Sequence, residues 1–92
     1  MPQLLYRFHF REDVPMEEVE ATLWLALVAM ESLYGEPQAR LQIAYAFDAA
    51  QRSCVIDDST GLGEDLSCVY IGFLQLEFEP EAFRVERLEP VF

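Results

Sequence analysis

Glu64–Phe78, EDLSCVYIGFLQLEF, decides the fold of this chain. Read as a helix, it gathers Leu66, Val69, Tyr70, Phe73 and Glu77 on one face, and Ser59 or Thr60 with Glu64 supplies a start signal. Read as a strand, its end alternates Leu74, Leu76 and Phe78 with Gln75, Glu77 and Glu79, and its Cys, Val, Tyr, Ile and Phe residues lean towards β structure. Chain length arbitrates. The flanking strands end at Asp57 and begin at Phe83, and a connection of roughly 25 residues without a helix would be an unusually long loop. The segment is therefore predicted helical, with an extra strand pair as the alternative.

Upstream of it, Arg40–Asp48 alternates Leu41, Ile43, Tyr45 and Phe47 inward with Gln42, Ala44, Ala46 and Asp48 outward. Ala49-Ala50-Gln51 then leads into a second strand, Ser53–Asp57, so the pair reads as a hairpin without the Asn-Gly or Asp-Gly signal. Asp58–Gly63 is a turn. Downstream, Phe83–Leu88 is the last strand and Glu89–Phe92 trails from it. The first strand is Leu4–Arg11, with Leu4, Tyr6, Phe8 and Phe10 on one side and Leu5, Arg7, His9 and Arg11 on the other.

Between the first two strands lies a long helix. Asp13 is its predicted N-cap, Pro15 suits its first turn, and Glu17 and Glu18 sit at the positive end of its dipole. It runs to Tyr34, where Gly35 caps it and Pro37 bars continuation. Val19, Leu23, Ala26, Leu27, Met30, Leu33 and Tyr34 form the face expected on the sheet. Its middle, Ala21–Met30 (ATLWLALVAM), carries no charge between Glu20 and Glu31. A membrane span needs roughly 20 apolar residues, so this run is too short for one. It is nevertheless apolar almost all round, because Trp24 and Val28 flank the inner face while Ala21, Leu25 and Ala29 lie on the far side. A partner must cover that side, and a homodimer is predicted with Trp24, Leu25, Val28 and Ala29 in its interface.

The element order is β-α-β-β-α-β, which is the ferredoxin-like plan: an α+β domain over residues 1–92, with a four-stranded antiparallel sheet and two helices on one face. Ninety-two residues suffice for one domain. A chain this size buries roughly 60–65% of its unfolded surface. The 52% hydrophobic and 13% aromatic content is a heavy apolar load for so small a body, excludes disorder and again favours association.

Charge narrows the partners. Seventeen acids face six arginines and no lysine, for a net charge of −11. Such a surface repels nucleic-acid backbones and anionic membranes, so neither is an expected partner. The N-terminus lacks the pattern of a signal peptide, and a cytoplasmic location is expected. Cys54 and Cys68 each sit in an apolar stretch and read as buried free thiols.

No residue group supports catalysis, a cofactor or a metal. Gly61-Leu62-Gly63 could cradle a phosphate, but Asp57, Asp58, Glu64 and Asp65 surround it. Those acids lack the spacing of a calcium loop. His9 is the only imidazole and has no evident nucleophile to serve. Arg7, His9 and Arg11 form a basic stripe expected on the open sheet face beside an arginine of the last strand, to bind an anion or to pair with Glu86, Asp48 or a twin subunit. The chain thus reads as a non-catalytic interaction or regulatory module, homodimeric or bound to another protein. A small-molecule or anion-binding domain using the sheet face is the alternative, and an acidic nucleic-acid mimic is a third.

Overall fold

The computed structural model describes residues 5–88. Leu4, at the start of the expected first strand, and residues 89–92 lie outside that range. The chain forms β1 (Leu5–Phe10), α1 (Met16–Tyr34), α2 (Glu36–Gln42), β2 (Tyr45–Asp48), β3 (Ser53–Asp57), α3 (Gly61–Glu77), a 3₁₀ turn (Pro80–Ala82) and β4 (Phe83–Leu88). The four strands make one antiparallel sheet in the order β2-β3-β1-β4. This is an α+β architecture with three α-helices rather than the two expected.

Alternation along β1 builds the core. Phe8 stands opposite Cys54 on β3 and Val85 on β4, and Phe10 stands opposite Phe83. Phe8, Cys54 and Ile56 are fully buried on this side, beneath Val19, Leu23, Ala26 and Met30 of α1 and Leu66, Tyr70 and Leu74 of α3. Each valine, leucine, isoleucine, phenylalanine or methionine among them contributes roughly 1.5–3 kcal/mol on leaving water. The Phe8 and Tyr70 rings meet at 5.0 Å, and the Tyr70 hydroxyl donates to the Val19 carbonyl at 3.2 Å. Leu5, Arg7 and His9 point to the opposite, open face of the sheet.

The deciding segment is helical. The Thr60 hydroxyl accepts from the Gly63 amide at 3.0 Å, capping α3, and donates to the Gln42 carbonyl at 2.9 Å. The helix begins at Gly61, three residues before the expected start, because the cap lies at Thr60. A Cβ on Gly63 would come within 2.0 Å of the Asp57 carbonyl oxygen, so only glycine permits this close strand-to-helix junction.

Several expectations are corrected. Arg40, Leu41 and Gln42 belong to α2, not to a strand, and β2 starts only at Tyr45. Pro37 does end α1, but a proline is equally suited to the first turn of a new helix. Glu36 and Arg40 then close an i,i+4 ion pair at 2.6 Å. Gly35, at φ +88°, makes the sharp turn between the two helices. Asp13 does not cap α1: Pro15 holds that position without a side-chain bond, and Asp13 pairs with Arg11 instead. Leu33 and Tyr34 are exposed at the end of α1, Leu41 is exposed on α2, and Cys68 is exposed on α3 while Cys54 is buried.

Arg52 is a structural residue that periodicity does not reveal. It adopts φ 53° at the end of the β2–β3 turn. From there its guanidinium donates to the carbonyl oxygens of Arg11, at 2.6 Å, and Val14. The hairpin is thereby tied to the loop that launches α1. No helix among the described residues is long and apolar enough to cross a membrane.

Candidate functional site

Two surfaces carry the residues singled out in the sequence. On α1 the buried residues Val19, Thr22, Leu23, Ala26 and Met30 define the inner side. At 100° per residue the outer side falls on Ala21, Trp24, Leu25 and Val28. Trp24, Leu25 and Val28 are 57%, 57% and 55% exposed, whereas Ala29 is half-buried at the edge. On one flank, Trp24 and Val28 continue into an open groove of about 490 Å³, floored by Leu27, Ala39, Ile43 and Tyr45 and edged by Glu31 and Arg40. On the other flank, Leu25 borders a small recess that Phe73, Leu76 and Glu77 of α3 also line. Leu76 is 85% exposed, so the apolar surface continues across the pair of helices.

The helices are held side by side by polar bonds near both ends. The Thr22 hydroxyl bonds Glu77 Oε2 at 2.9 Å, and the Tyr34 hydroxyl donates to Asp65 Oδ2 at 2.5 Å. Early α1 thus meets late α3 and the reverse, so the two run antiparallel. That hydrogen bond and the charge of Asp65 hold the Tyr34 phenol above its ordinary pKa.

Tyr45 and Leu76 were not foreseen as part of this surface. Tyr45 falls on an inward position of the expected strand, and the exposure of Leu76 depends on how α3 turns about its axis. The Pro37 and Glu36–Arg40 pattern was the signal that could have shortened the strand and placed the groove.

The second surface is the open sheet face. Arg7 and His9 lie on it, half-buried, and Arg84 stands opposite His9. Arg11 departs from the stripe: it lies beyond β1, with its guanidinium 2.5 Å from Asp13 and 3.4 Å from Glu79. Glu86 stands opposite Arg7, and its carboxylate lies 3.2 Å from His9 Nε2. Asp48 and Asp57 occupy the same face by register, so its charges are of mixed sign. Ser53 stands opposite His9 across β1 and β3, but no hydrogen bond joins it to the ring.

The acids around Gly61 and Gly63 point to separate partners. Asp57 accepts from the Ser59 amide and hydroxyl at 2.9 and 2.6 Å, and Asp65 accepts from Tyr34. Asp58 is buried against the Tyr6 hydroxyl, leaving its Oδ1 without a partner. Burial and the nearby Glu64 charge raise the Asp58 pKa, against the Tyr6 hydrogen bond and Arg87. Among the described residues no group of three or more His, Cys, Asp or Glu is placed to hold a metal ion. Burial pushes the Cys54 thiol up to about 12, which leaves it protonated and inert at neutral pH. No protein-family model matches this chain, and a search of curated proteins finds no match.

Proposed function

We propose that this chain is a small non-catalytic protein-interaction module, a ferredoxin-like plan extended by α2, whose docking surface is the outer face of its helical layer. The observation that carries the reading is the exposure of Trp24, Leu25 and Val28 in one uncharged stretch, joined on both flanks by further apolar residues. Contiguous apolar area of this kind on a small acidic protein marks a contact surface. The arrangement of reactive groups supports the non-catalytic part. Cys54 is inert, and His9 is engaged with Glu86 rather than with a nucleophile. A cytoplasmic setting fits the two unpaired cysteines.

Either a second copy or another protein would bury the same residues. The test replaces Leu25 and Val28 with serine, which leaves every charge in place. Circular dichroism should be unchanged, because both side chains face outward. Self-association at tens of micromolar in sedimentation, or specific capture of a protein from native lysate, should be lost with the double change. An association pattern identical in the parent chain and the variant would remove this surface from the account.

A further inference from the structure

Charge on the molecule is unevenly placed. The three helices carry Glu17, Glu18, Glu20, Glu31, Glu36, Glu64, Asp65 and Glu77 against a single arginine, Arg40, and that arginine is paired with Glu36. The other five arginines all lie in the strands or their connections. Glu17, Glu18, Glu20 and Glu31 on α1, and Glu64 on α3, make no ion pair among the described residues. The apolar ridge of Trp24, Leu25 and Val28 is therefore bounded at both ends by unneutralised carboxylates.

We propose that the outer face of the helical layer docks a basic amphipathic helix of another protein. This deepens the docking-surface reading above and rests on it. The shape fits: where the antiparallel α1 and α3 meet, a shallow trough of about 210 Å³ is lined by Leu25, Phe73 and Leu76 with the Glu77 carboxylate at its edge. Gly72 on α3 has nothing within 4 Å of where a Cβ would stand. A helix lying in that trough offers apolar side chains at i, i+3, i+4 and i+7. Lysine or arginine on its flanks meets the carboxylates at the ends of the ridge. A second copy brought to the same face would set one acidic rim against another, and like charges across an interface select against that pairing.

Trp24 is the only tryptophan and reports on its own surface. The experiment titrates the full chain with three synthetic helical peptides that share a leucine face and lack aromatic residues. Their flanks carry lysine, glutamine or glutamate. The lysine peptide should shift Trp24 emission to the blue and bind at least tenfold tighter than the glutamine peptide at low salt. That ratio should shrink at high salt, where the charges are screened. Leu25→Ser with Val28→Ser should abolish binding of both, while Glu20→Gln with Glu31→Gln should narrow the ratio and leave the glutamine peptide unaffected.

Equal binding of the lysine and glutamine peptides would overturn the basic partner and leave the docking surface standing. If no peptide moves Trp24, the basic-helix proposal is overturned, and the sedimentation and capture test of Leu25→Ser with Val28→Ser decides whether the docking surface stands. Binding of the lysine peptide undiminished by the serine changes would mean attraction by charge alone, which also overturns it. So would a free chain that sediments as a dimer with Trp24 already shielded, since the occupant would then be a second copy.

Discussion

Asp58 is the residue on which pH acts most directly. It is buried at the end of β3, with one carboxylate oxygen unpartnered and Glu64 nearby. Burial is the main cause that places its folded-state pKa above the ordinary 3.8, so the fold prefers the protonated acid. The stability tied to that preference is fully present below the unfolded value and is lost as pH rises through the folded one. Asp58→Asn retains an acceptor for Tyr6 and removes the ionisation. The variant should be more stable than the parent chain near pH 7, with the advantage shrinking as pH falls through the raised folded-state value and gone below the ordinary 3.8. Urea midpoints across that range measure it, and an advantage independent of pH would contradict this account of Asp58. Asp13 shifts the other way, held down by Arg11, but it is exposed and common to both proteins, so the comparison cancels it.

At the scale of elements, two glycines of one helix should respond in opposite directions. Gly63 sits where α3 approaches the end of β3 so closely that a methyl group collides with the Asp57 carbonyl. Gly63→Ala should cost about 3 kcal/mol, at the upper end of overpacking effects. Gly72 faces open space in the same helix. Gly72→Ala should stabilise by about 1 kcal/mol through helix propensity alone. Thermal unfolding of the pair checks both signs. The elements were legible to different degrees for physical reasons. β1 was legible because Tyr6, Phe8 and Phe10 alternate with polar residues and one face is buried, and α3 because Thr60 caps a segment too long for a loop. The short α2 was not. Leu41, Ile43, Tyr45 and Phe47 keep a period of two straight through a helix end, and that alternation masks the local Pro37 and Glu36–Arg40 signals. The candidate surface followed the same division: Trp24, Leu25 and Val28 stand out in an uncharged run, whereas Tyr45 and Leu76 join them only through tertiary packing.

At the scale of the molecule, the sheet and the helical layer face solvent differently. The open sheet face mixes Arg7 and Arg84 with Glu86, Asp48 and Asp57, while the helices concentrate carboxylates around an apolar ridge. A ridge that is apolar, open and bounded at both ends by negative charge is the central claim. The carboxylates of Glu17, Glu20 and Glu31 are placed one or two helical turns from Trp24, where their potential is felt by small ions. Collisional quenching of Trp24 fluorescence in the isolated chain by acrylamide, caesium and iodide reads exposure and local charge together. Acrylamide should reach the indole freely, and at low ionic strength caesium, relative to its action on free tryptophan, should quench several times more effectively than iodide, which the acidic rim repels. Shielding of Trp24 from all three quenchers, or iodide matching caesium on that scale, would contradict the account.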